Sequence, residues 1–115
     1  MDGKEATINY KQVGVQLDDG GTCHCYLRGE LDHHSVKGIR EVIDEKLIDY
    51  RPTNVILDLS EVTFTDSAGL GLVLGRYTRV SSYGGKISLI NVPDEFMKIL
   101  KLSGADRFFE IRSRS

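Results

Sequence analysis

A serine sits in the run Thr65-Asp66-Ser67-Ala68-Gly69-Leu70-Gly71, just after the apolar stretch Val55-Ile56-Leu57-Asp58-Leu59 and just before an apolar-periodic segment. That order places its hydroxyl at the start of a helix. Unpaired backbone N–H groups and the positive end of the helix dipole gather there, ready to receive an anion, including a phosphate carried by the serine itself. Phosphorylation would add about 1.5 to 2 negative charges at that point. A plain N-cap is the competing role for Ser67, and losing a cap costs roughly 1 kcal/mol. The glycines weigh against capping alone: Gly69, Gly71 and Gly75 each cost a helix on the order of 1 kcal/mol relative to Ala, which argues for a packing or access requirement. A partner's backbone could approach closely over residues that lack side chains.

Other chemistry fits less well. A hydrolase nucleophile elbow needs glycine two residues before the serine, and Thr65 stands there. His33-His34 beside Asp32 could supply a base, but nothing in the sequence brings them within reach of Ser67. Gly69-Leu70-Gly71 with Gly75 is one residue too long for the dinucleotide fingerprint, and Gly84-Gly85-Lys86 lacks the flanking residues of a phosphate-binding loop. Cys23 and Cys25 flank His24 in an alternating segment, so both thiols share one face and the imidazole takes the other. Zinc ligation with His33 and His34 would be split across a sheet, and a disulfide is not expected in a reducing compartment, which leaves two small side chains, buried or half-buried. No catalytic residue, cofactor or metal is expected.

The elements that must position Ser67 follow from periodicity. At 115 residues the chain is long enough for one core, so 1–115 reads as a single domain with frayed termini at about 1–9 and 112–115. Tyr10–Leu17 and Thr22–Arg28 read as two strands joined by Asp18-Asp19-Gly20-Gly21. A helix over about Ser35–Ile48, capped by Asp32 or Ser35, turns Val36, Ile39, Ile43 and Leu47 to one side. Asn54–Leu59 is a buried central strand. In the helix after Ser67, the residues Leu70, Val73, Leu74, Tyr77 and Val80 form the expected core stripe, and Leu72, Arg76, Arg79 and Tyr83 the outer face. A strand at Lys86–Asn91, a helix at Asp94–Leu102 with Phe96, Ile99 and Leu100 inward, and a strand at Phe108–Ile111 complete an α/β layer protein. A net charge of -2 gives no basic footprint for nucleic acid, and no apolar run reaches the roughly 18 residues of a membrane span. The expectation is a soluble, cytoplasmic protein whose partners are proteins.

With these residues in view, the chain resembles the anti-sigma factor antagonists of the STAS domain family, stage II sporulation protein AA type. Gly29-Glu30-Leu31-Asp32-His33-His34 is similar to the family's loop before its first helix, and Thr63-Phe64-Thr65-Asp66-Ser67-Ala68-Gly69-Leu70-Gly71 to its phosphorylation motif. Leu74-Gly75-Arg76-Tyr77, Gly84-Gly85 and Leu102-Ser103-Gly104 extend the likeness along nearly the whole length. The resemblance implies a mixed sheet of about four to five strands packed against three to four helices. It further implies a non-enzymatic regulator that binds an anti-sigma factor with serine kinase activity and so releases a sigma factor. Phosphorylation of Ser67 would switch it off, and a PP2C-type phosphatase would restore it. Ala68 replaces the second hydroxyl of many members and leaves Thr65 as the nearest other acceptor. The partner surface implied comprises Asp32, His33, His34, Asp66, Ser67, Ala68, Gly69, Gly71, Leu72 and Arg76. The alternative is a STAS phospho-switch module of a stress-response or other partner-switching complex.

Overall fold

In a computed structural model of the chain, residues 6–113 are described. They form strands β1 (Ala6–Tyr10), β2 (Val13–Leu17) and β3 (Thr22–Leu31), helix α1 (Val36–Tyr50), strand β4 (Asn54–Thr65) and helix α2 (Ser67–Ser82). Strand β5 (Lys86–Val92), helix α3 (Asp94–Ser103), a 3-10 turn at Ala105–Phe108 and strand β6 (Glu110–Ser113) follow. One mixed sheet has the order β1-β2-β3-β4-β5-β6. The first three strands are antiparallel, and β3, β4, β5 and β6 run parallel to one another. Parallel neighbours need crossovers of constant hand, so a sheet that grows in one direction carries all its crossover helices on one face. Alternate strand residues pack under that helical layer: Val13 and Val15, Cys23, Cys25 and Leu27, Val55, Leu57 and Leu59, Ile87 and Leu89. From the helices come Ile39, Ile43 and Leu47 of α1, Val73 and Val80 of α2, and Phe96 and Leu100 of α3. Each of these large apolar side chains contributes roughly 1.5–3 kcal/mol by leaving water. Among the described residues no helix is long and apolar enough to cross a membrane.

The α/β mixed sheet is as expected, with differences at the edges. The described sheet has six strands where four to five were expected, because residues expected to fray at 1–9 include Ala6–Asn9, which pair with β2. A turn at Lys11-Gln12, with Lys11 at φ 40°, divides the single strand expected at Tyr10–Leu17. Neither residue is of the usual hairpin-turn type, which hid the turn. At the other end β6 reaches Ser113, and residues 1–5 and 114–115 lie outside the described residues. Both strands that lead to the site are longer than periodicity showed. β4 continues through Thr65 and pairs with β3 from Arg28↔Glu61 to Leu31↔Thr65, past the polar residues Ser60, Glu61 and Thr63.

Candidate functional site

Parallel pairing brings the carboxyl ends of β3 and β4 together, and the two candidate loops leave from there. Leu31 pairs with Thr65, and the Asp66 N–H donates to Leu31 O at 3.3 Å. At the start of α2 the cap is Asp66: its Oδ1 accepts from the Ala68 N–H at 2.8 Å, and its carbonyl accepts from the Gly69 N–H at 3.0 Å. Ser67 is therefore the first helical residue and not the N-cap. Its side chain is exposed, and among the described residues no hydrogen bond engages its hydroxyl. The helix dipole still acts there, so an anion on Ser67 is electrostatically favoured.

Thr65 and Gly69 occupy the layer beneath. Thr65 is only 8% exposed. A Cβ on Gly69 would collide with Thr65 Oγ1 and press within 3.4 Å of Leu31 Cβ. Gly69 is buried and closes α2 onto the sheet, so its place on the expected partner surface is corrected to an internal packing role. Gly71 is exposed and Gly75 half-buried, and a Cβ at either would meet nothing within 4 Å. Those two leave open space beside Ser67's helix.

The α1 start uses its own aspartate and serine reciprocally. Asp32 Oδ1 accepts from the backbone N–H groups of His34 and Ser35, each at 3.0 Å, while Ser35 Oγ accepts from the Asp32 N–H at 3.1 Å and donates to Glu30 O at 2.6 Å. This reciprocal box closes the turn at residues 32–35 that leads into α1, whose own N-cap, Ser35, makes no side-chain bond to the helix. Partial desolvation raises the Asp32 carboxyl, but the Ser35 and His34 N–H bonds outweigh it and hold the group below its ordinary value. His33 and His34 are exposed, with ring centroids 4.0 Å apart. Sequence reasoning missed the brace behind this loop. Gly29 has φ 77° at a register shift in β3, and the Gln12 carboxamide spans it, donating to Arg28 O at 2.9 Å and Glu30 O at 2.8 Å.

Leu72 and Arg76 are not on an outer face. They are 4% and 5% exposed, because α2 is wedged between the sheet and α1 and buries two sides. Arg76 Nε lies 2.9 Å from Asp44 Oδ1 on α1, and Arg79 Nε reaches the same oxygen at 3.3 Å. These contacts are ion pairs and not well-aligned hydrogen bonds, since Asp44 Oδ1 and Arg76 Nε lack a hydrogen-bond partner. Burial pulls the Arg76 guanidinium down from its ordinary value and Asp44 opposes it. Arg76 thus joins α1 to α2, which corrects its expected role on the partner surface. A 3.6-residue period shows a stripe but not how many neighbours the helix has.

Cys23 and Cys25 are free and buried, with their sulfurs 3.9 Å apart, as the alternation implied. The contact with Cys23, and then burial, raises the Cys25 thiol well above its ordinary value. Among the described residues no group of three or more His, Cys, Asp or Glu is placed to hold a metal ion. Phe64 belongs to the motif but lies outside the expected partner surface. It is 52% exposed, two residues before the Asp66 cap. An aromatic in a strand's polar end was the available signal.

The chain matches the STAS domain model over residues 16–115. It is 34% identical to an anti-sigma F factor antagonist of Paenibacillus polymyxa, over 74% of this chain and 73% of that protein. A second anti-sigma F factor antagonist, from Lysinibacillus sphaericus, is 38% identical over 68% of this chain and 67% of its own length. The solved phosphorylated form of the Bacillus cell fate determinant SpoIIAA superposes with a TM-score of 0.70 at 30% identity, covering 86% of this chain and 89% of that one. A family match across most of the chain, agreeing with the layer order and with the exposed serine after an aspartate cap, places the sequence: it belongs to the STAS domain family and, within it, to the anti-sigma factor antagonists.

Proposed function

We propose that the chain binds an anti-sigma factor that is also a serine kinase, frees a sigma factor by doing so, and is switched off when that kinase phosphorylates Ser67. The observation that carries this reading is the division of labour at α2, where Asp66 takes the cap and leaves an exposed Ser67 hydroxyl. Relatives named anti-sigma F factor antagonists, and a related structure in a phosphorylated form, support it. The binding surface comprises Asp32, His33, His34, Asp66, Ser67, Ala68 and Gly71, a reading supported by the Leu31↔Thr65 pairing, which sets the two segments leaving β3 and β4 side by side. A phosphate on Ser67 adds charge and bulk beside Asp66 and must be desolvated on docking. Losing about 2.7 kcal/mol weakens binding a hundredfold. A PP2C-type phosphatase in the cytoplasm resets the switch, and the chain contributes no catalytic residue of its own. The test is to incubate the protein with its kinase and ATP and map the phosphate by mass spectrometry. Phosphate on Ser67, with Ser67→Ala binding undiminished, is the expected result; phosphate on Thr65 or Ser82 overturns it.

A further inference from the structure

We infer that the groove between the end of β4 and the first turn of α3 is a docking cleft for an extended, lysine- or arginine-bearing segment of the partner protein. The inference rests on the reading that this end of the molecule binds a partner. The cleft arises from a mismatch in strand lengths. β5 accompanies β4 only from Asn54↔Lys86 to Asp58↔Ile90, whereas β4 runs on to Thr65. Asn91 then takes a left-handed conformation, φ 55°, and its Nδ2 donates to Asp58 Oδ1 at 3.0 Å. That bond anchors the bend at which β5 leaves β4, and Pro93 turns the chain into α3.

Where a continued β5 would lie, a groove of about 680 Å3 remains, bounded by Glu61 and Phe64 on one side and Pro93, Asp94 and Glu95 on the other. None of its lining residues is basic. The three carboxylates are exposed and take no part in an ion pair among the described residues. Phe64 and Pro93 give the cleft an apolar surface between acids. A long cationic side chain suits that combination, since its methylenes lie on apolar surface while its head meets carboxylate, and Phe64 offers a ring face to the cation. An anionic segment would be repelled, and the acids do not form a metal-binding group. Because β4 passes directly from this groove into Asp66 and Ser67, a segment seated here is continuous with a partner reaching the serine.

Two arms test the cleft. In the first, the full chain is titrated by NMR with the peptide acetyl-Lys-Leu-Lys-Leu-Lys-amide and with its glutamate counterpart. Saturable shifts at Glu61, Phe64, Asp94 and Glu95 with the lysine peptide alone, weakened by salt and by Glu61→Gln with Glu95→Gln, are expected. Equal binding of the glutamate peptide, or undiminished binding by the double variant, overturns the proposal. In the second, kinetics with the kinase that phosphorylates Ser67 should show KM raised about tenfold in the double variant and in Phe64→Ala, with kcat unchanged. An unchanged KM in both variants, with the parent phosphorylated on Ser67, overturns the cleft and leaves the switch standing. A parent that is not phosphorylated overturns the switch, and the peptide arm then decides the cleft alone.

Discussion

At the start of α1 an aspartate stands three residues ahead of its serine, and at the start of α2 it stands one residue ahead. That spacing decides the fate of the hydroxyl. Ser35, three along from Asp32, reaches back to the Asp32 N–H and is absorbed into the capping box. Ser67, directly after Asp66, falls on the first helical turn, and it is left exposed to solvent. Two neighbouring helix starts with the same acid therefore differ in what they leave free: one is closed on itself, the other keeps an exposed hydroxyl.

The two helix starts keep their places only while α1 and α2 are held in fixed relation, and removing that link should have the largest effect. Arg76→Ala leaves Asp44 paired only with the half-exposed Arg79, and a loss of about 3 kcal/mol in chemical denaturation is expected. Next, Ser67→Asp should weaken kinase binding by about a hundredfold, equivalent to about 2.7 kcal/mol, with Tm nearly unchanged because the dipole favours the charge. Ser35→Ala should do the reverse, lowering Tm with little change in affinity. Comparable affinity losses in the two would erase the distinction between the helix starts. Gly69→Ala should cost about 2 kcal/mol, measured by urea unfolding, since its methyl overpacks against Thr65 and Leu31. Asp66→Ala should cost about 1 kcal/mol, and thermal melts of this variant test whether Asp66, and not Ser67, is the cap.

The smallest effect is acid titration of the closed start. Asp32 has a folded-state value depressed below its ordinary 3.8, so its contribution is fully present above that pH and is lost as pH falls through the lower folded value. Subtracting the acid-unfolding profile of Asp32→Asn from that of the parent should show this extra slope below pH 3.8.

Much of this was legible in the chain. Ser67 after Asp66, the helices α1 and α3 to within about two residues at their ends, and the shared face of the two cysteines could be read because each depends on local spacing. What escaped depended on contacts remote in sequence. Leu72 and Arg76 look outward until α1 is laid against α2, and the polar end of β4 looks like a loop until β3 pairs with it. Gln12 carries no motif, yet its carboxamide bridges two carbonyls, of Arg28 and Glu30, and braces the loop that begins at Asp32.

Burial of Thr65 under Gly69, with a methyl group at position 68, bears on how information is stored. Along Thr65–Gly71 the chain exposes a single hydroxyl, so on the switch proposed above each molecule would hold one bit there, with no intermediate mark. A graded cellular output would then be the fraction of molecules carrying the mark, and any sharpness of threshold would come from the opposing enzymes and not from this protein.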